Sequence, residues 1–246
     1  MRYFICLSYN GTAFCGWQIQ ENANSVQEEL QKALSILLKE PVSVTGAGRT
    51  DSGVHAKNYI AHFDTKTVIN DVAYLCYKLN AILPKEIAVH KIFQVQDNAH
   101  ARFDAISRTY KYYVHTNKDP FDNGFSMFVK PQAMDIEKMN RAAHFFLGEQ
   151  DFSSLEKVNG GNKTSICTVT QAAWEQIDEN HYVFTVTANR FLRNMLRAMV
   201  GSLLEVGAGK REPEWITQML AEKDRCAAGQ SVPGQALFLV EVKYPY

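Results

Sequence analysis

Residues 2–9 (RYFICLSY) read as a strand rich in aromatic and aliphatic positions. Ser25-Val26-Gln27-Glu28 has the form of a capping box that opens a helix. Beyond it Val26, Leu30, Ala33, Leu34, Leu37 and Leu38 recur at helical spacing. A strand over 42–46 leads into a glycine-rich stretch, and another follows in KNYIAHFDT. A helix over 71–82 stops before Pro84, and 86–94 reads as a strand. The second half opens with the strand RTYKYYVHT. A helix over 135–147 shows Ile136, Met139, Ala143 and Phe146 on one face and ends at Gly148. Strands follow around 166–175 and 180–188, then a helix over 191–206 with Leu192, Met195, Met199, Val200 and Leu203 as its stripe. Pro213 opens a short helix, and ALFLVEVKY alternates as a closing strand.

The strands are not strictly separated by helices, so the expected fold is α+β with a largely antiparallel sheet. Each half opens with an aromatic strand and then mixes helices with strands. The reading is two similar α/β halves around one central sheet with flanking helices, on the plan of a degenerate duplication. The first half, 1–105, carries the glycine-rich stretch. The second, 106–246, opens on the RTYKYYVHT strand.

Composition narrows this little. The 246 residues are 46% hydrophobic and 21% charged, as in an ordinary soluble domain. No apolar run reaches the roughly 20 residues that span a bilayer, and MRYFICLSYNG lacks the plan of a signal peptide. Cysteines 6, 15, 76, 167 and 226 form no CxxC pair and read as free thiols in a reducing cytosol. In that setting the sequons Asn10-Gly11-Thr12 and Asn162-Lys163-Thr164 are chance matches. Net charge is zero, so binding to nucleic acid would need local basic patches. Residues 100–118 supply one: Arg102, Arg108, Lys111 and Lys118 alternate with Phe103, Tyr110, Tyr112 and Tyr113. Residues 190–211 supply another through Arg190, Arg193, Arg197, Lys210 and Arg211. Cations beside stacking rings suit RNA; a solvated strand face over half-buried aromatics is the competing reading.

The stretch GAGRTDSGVHA (46–56) sets Arg49 and Asp51 among small residues. Its glycines miss the GxGxxG spacing and no GK[ST] follows, which excludes a P-loop. His55 and His62 have no carboxylate or cysteine cluster beside them, so they read as structural histidines rather than metal ligands. From the residues alone, Asp51 is either a turn aspartate or a carboxylate left accessible to another molecule's backbone.

The same stretch resembles the catalytic motif of TruA-type tRNA pseudouridine synthases. YNGTAFCGWQIQ (9–20), SVQEELQKAL (25–34), NAILPKEIAV (80–89), HARFDAISRTYKYYV (100–114), GEQDFSSL (148–155), FLRNMLRAMVGSLLEVGAGK (191–210) and VPGQALFLVEVKYP (232–245) match further blocks in the same order. The resemblance implies the pseudouridine synthase fold and isomerisation of uridine in the tRNA anticodon stem-loop, at nucleotides 38, 39 and 40. It implies that Asp51 acts as nucleophile or base on a flipped-out uridine. Tyr110 matches the tyrosine that stacks on the target uracil, and Arg197 the arginine that pairs with the aspartate. Arg49 matches an RNA-contacting arginine, and Leu237 an apolar wall of the uracil pocket. No cofactor and no metal is implied. The implied partners are tRNA and a second copy of the chain, as a homodimer in the cytoplasm, with no membrane. Ala236 stands where the family usually has glycine, and Cys167 lies where it often has arginine. Two other classes compete: an RNA-binding protein without activity, which has no need of a carboxylate near phosphate, and a glycosidic hydrolase, which normally needs a second facing carboxylate.

Overall fold

A computed structural model describes residues 1–158, 160–161 and 163–246. Asn162 of the second sequon lies outside the described residues. The chain forms two compact units, Met1–Ile106 with Phe238–Tyr246, and Ser107–Leu237.

The first unit is built on β1 (Arg2–Tyr9), whose Tyr3, Phe4, Ile5, Leu7 and Tyr9 are all buried. Helix α1 (Val26–Leu38) starts where the capping signal lies, with the Ser25 hydroxyl accepting from the Glu28 N–H at 3.3 Å. Val26, Leu30, Ala33 and Leu34 form its buried face. The short strand β2 (Val44–Gly46) is followed by β3 (His55–Asp64). The expected strand begins two residues late, and the Val42 N–H donates to the Ser35 hydroxyl. Helix α2 (Val72–Ile82) is capped by Asp71, and β4 (Ile87–Val95) follows. β1 lies between β3 and β4, antiparallel to both, and β2 pairs antiparallel with β3.

In the second unit β5 (Ser107–His115) pairs antiparallel with a later strand and parallel with the two-residue β6 (Met127–Phe128). Helix α3 (Ile136–His144) ends earlier than its pattern suggests. Phe145, Phe146 and Leu147 bond back three residues rather than four, so the apolar face continues in a tighter turn. Then come β7 (Gly148–Asp151), β8 (Ile166–Gln176) and β9 (His181–Ala188), giving the antiparallel order β5-β9-β8-β7. Helix α4 (Met195–Gly207) begins four residues after its expected start, because Asn194 is left-handed at φ 69°. It is buried on nearly every side, not along one stripe. The short helix α5 (Trp215–Glu222) follows Pro213.

The chain then returns to the first unit with β10 (Leu237–Lys243), whose Phe238 and Leu239 pair parallel with His55 and Ala56 of β3. The expected division at residue 105 leaves this strand with the second half, because alternation shows which face is buried but not which neighbour a strand joins. The α+β class and the largely antiparallel pairing stand as expected.

His55 and His62 are held by backbone donors. The Gly11 N–H donates to His55 Nδ1 at 3.0 Å, and the Ala101 N–H to His62 Nδ1 at 3.1 Å. Burial, with the nearby Arg2 cation, lowers His62 from 6.5 to about 4. The unfolded chain therefore takes up a proton at His62 before the folded one does. Stability from this site is complete above about pH 6.5 and is lost as pH falls toward 4. Urea titrations at pH 7 and pH 4.5 are expected to show a loss of roughly 2 kcal/mol that His62→Gln removes. Parallel profiles for wild type and variant would contradict this.

Candidate active site

Asp51 lies in the connection between β2 and β3, within the first unit. The connection is fastened from outside by residues 9–18. The Tyr9 hydroxyl bonds Thr50 Oγ1 at 2.9 Å in the interior. The Trp17 N–H donates to the Thr50 carbonyl at 3.3 Å, and the Gly53 N–H to the Phe14 carbonyl at 3.3 Å. Ser52 Oγ donates to the same Phe14 carbonyl, and the Val54 N–H closes a turn onto the Asp51 carbonyl at 3.2 Å. The Tyr59 hydroxyl, from β3, donates to the Gly48 carbonyl. Trp17 stacks on Tyr59 with centroids 4.1 Å apart, and Tyr9 meets Tyr59 edge-on at 5.5 Å.

This packing explains the small residues. Gly16 is left-handed at φ 92°, and a Cβ there would collide with the Thr50 carbonyl oxygen. On the other side a Cβ at Gly48 would meet nothing within 4 Å, so the motif borders open space. Asp51 is half-buried and Arg49 exposed beside it. Arg49 Nε donates to Gln18 Oε1 at 3.1 Å, which ties its stem to the same fastening segment. A carboxylate and an arginine thus sit on a fastened turn that has open space at Gly48.

In the second unit Tyr110 lies on β5 opposite Val186 and meets the Phe191 ring edge-on at 5.1 Å. It is half-buried, whereas Tyr112, on the same face two residues on, is fully buried. The Tyr112 hydroxyl donates to the Pro233 carbonyl at 2.9 Å, and burial raises its pKa. Of the aromatic ladder, then, Tyr112 is core and Tyr110 is partly accessible. Arg197, on the first turn of α4, donates from Nε to the Val232 carbonyl at 2.6 Å. The Val232 N–H returns a bond to the Arg197 carbonyl at 3.2 Å. Arg193, four residues earlier and before the helix begins, is exposed.

The chain from Gly229 to Leu237 is therefore laid along the start of α4 and the end of β5. Gly201 permits this, since a Cβ there would collide with the Gln230 carbonyl oxygen. Leu237 is buried at the end of that segment, and Ala236 before it is wholly buried. Cys167 is also buried, on β8, and burial pushes its thiol up to about 11. That position faces the interior of the unit.

Residue patterns missed the fastening set. Tyr9, Phe14, Trp17 and Tyr59 read only as strand or connecting residues, and no periodicity links them. The block YNGTAFCGWQIQ marks Tyr9, Phe14 and Trp17 through the family resemblance alone. Among the described residues no group of three or more His, Cys, Asp or Glu side chains is arranged to hold a metal ion. None of the described helices is long and apolar enough to cross a membrane.

A family model described as tRNA pseudouridine synthase matches residues 5–104 and 142–245. The tRNA pseudouridine synthase A of Parabacteroides distasonis is 52% identical over 244 residues, covering 99% of this chain and 96% of that one. The protein of the same name from Bacteroides thetaiotaomicron is 50% identical over 246 residues, covering 99% and 91%. That from Porphyromonas gingivalis is 45% identical, covering 99% and 97%.

Proposed function

This chain belongs to the tRNA pseudouridine synthase family, and from that premise we propose that it isomerises uridines 38, 39 and 40 of the tRNA anticodon stem-loop, with Asp51 as the catalytic carboxylate. The bond from ribose C1′ to N1 breaks, the uracil turns, and C1′ bonds to C5. C5 releases its hydrogen to solvent and N1 takes up a proton, so product and substrate are isomers. The target must leave the base stack, at a cost of a few kcal/mol.

The observation that carries this reading is the loop itself. A half-buried aspartate stands on a turn fastened through Thr50, Ser52 and Gly53, next to open space at Gly48. Such fixing supplies the orientation that catalysis needs. Tyr110 stacks on the flipped uracil, Arg197 pairs with Asp51, Leu237 walls the pocket, and Arg49 contacts the RNA. No cofactor takes part. The protein works as a homodimer in the cytoplasm, where basic residues of two copies pool around one tRNA. The zero net charge of the single chain fits that pooling.

Unmodified tRNA transcripts incubated with the purified protein and mapped for pseudouridine test the substrate. Modification at 38–40 is expected; modification confined to another arm would contradict the site. Tyr110 gives a second test. Tyr110→Ala is expected to lose on the order of tenfold or more in tRNA affinity and also to lose rate, since base stacking contributes about 1–3 kcal/mol. Tyr110→Phe keeps the ring and the affinity but loses rate through the missing hydroxyl. If the Phe variant turns over like wild type, stacking is the tyrosine's only role.

A further inference from the structure

The connection from β4 to β5 is fastened more firmly than its length requires. Arg2 Nη1 donates to the Ala99 carbonyl at 2.9 Å. The Ala101 N–H donates to His62, and its carbonyl accepts from the Tyr244 hydroxyl at 2.6 Å. Asp104 Oδ2 accepts from the His100 N–H at 2.7 Å and the Tyr246 hydroxyl at 3.1 Å. Ala99 and Ala101 are buried and supply the packing.

Arg102 and Phe103 are among the side chains of this turn that are turned out to solvent. Phe103 is 74% exposed. The His100 ring lies 4.3 Å from it, and the Arg102 guanidinium carbon is 5.7 Å from its centroid. The N–H groups of Arg102 and Phe103 both donate to His100 Nδ1, at 3.1 and 3.3 Å, which fixes the ring's direction. Burial and the Arg2 cation lower the pKa of His100, which suits Nδ1 to that acceptor role. A phenyl ring left in water forgoes the gain of burial. Here the ring is also flanked by a His100 imidazole that two backbone N–H groups hold in place.

We propose that Phe103, with Arg102 and His100, is a platform on which an unpaired base of the tRNA stacks, separate from the residues assigned to the chemistry. The proposal rests on the reading of tRNA as substrate. A ring face is attractive to any base, and an adjacent guanidinium adds a cation for the phosphate backbone. An apolar protein partner would find one ring bordered by a cation and an imidazole.

The test compares wild type with Phe103→Ala, Phe103→Leu, Phe103→Trp and Arg102→Met. Affinity for a tRNA transcript and the single-turnover rate at saturating tRNA are both measured. Phe103→Ala and Phe103→Leu are expected to bind about tenfold or more weakly, with saturated rates within about twofold of wild type. Phe103→Trp should bind as wild type, and Arg102→Met should show a shallower salt dependence. All four should melt like wild type, because the ring lies outside the core. Unchanged affinity for Phe103→Ala overturns the proposal. So does full affinity for Phe103→Leu, or a change of oligomeric state on losing the ring, since either makes the contact apolar rather than stacked. Wild-type activity, read alongside, separates the two ideas. An inactive wild type that still binds tRNA through Phe103 overturns the isomerase reading and upholds the platform.

Discussion

Asp51→Asn is expected to lower the single-turnover rate of uridine isomerisation on the order of a thousandfold or more, the scale on which loss of an essential reacting group is felt. Affinity for tRNA should stay close to wild type or tighten. Asparagine keeps the shape of the side chain but lacks the charge a nucleophile or base requires. It also removes one negative charge from the vicinity of phosphates. The turn should survive the change, because its fastening runs through Thr50, Ser52, Gly53 and the Asp51 carbonyl. Thermal melting checks that point. Residual activity within tenfold of wild type would remove Asp51 from the central role.

The second large effect concerns Arg197. If its guanidinium is the counter-charge of Asp51, Arg197→Met should lose on the order of a hundredfold or more in saturated rate while tRNA binding changes little. The direction follows from what a nearby cation does, which is to favour the ionised form of a carboxylate. Arg197→Lys keeps a charge but not the planar fork, nor the Nε bond to the Val232 carbonyl, and should fall between the two. Arg193→Met is the control. That side chain is exposed and precedes the helix, so its loss should weaken tRNA binding in a salt-dependent manner and leave the saturated rate alone. A wild-type rate for Arg197→Met would show that the pairing plays no part.

Much of this architecture is legible in the sequence because local signals and packing agree. Ser25 followed by Glu28 marks the start of α1, and the structure uses that hydroxyl as the cap. Helix α2 starts one residue inside its expected span of 71–82, with Asp71 as its cap. The reading goes astray where a single backbone conformation decides. Asn194 turns left-handed, so the apolar run from Phe191 does not become helix until Met195. β6 is two residues long and shows no period. β10 reads plainly as a strand, yet its neighbour β3 lies nearly 200 residues back, and alternation carries no such address.

The candidate site divides in the same way. Taken alone, Asp51 reads sooner as a turn aspartate than as a catalytic one, and within the sequence only the ordered blocks of the family resemblance favour chemistry. The fastening of that turn is a tertiary fact. Tyr9, Trp17 and Tyr59 are brought together by strand pairing and by the close approach at Gly16. The resemblance marked Cys167 as a departure, and its burial on β8 places that position in the unit's interior.

The most direct test of the central claim is release of tritium from tRNA labelled at uridine C5, with free uracil assayed in the same reaction. Isomerisation at Asp51 predicts that wild type releases tritium without freeing uracil, and that Asp51→Asn binds the tRNA but releases none above background. Free uracil would mean hydrolysis of the glycosidic bond. No release by wild type, or release by Asp51→Asn at a wild-type rate, would contradict the account.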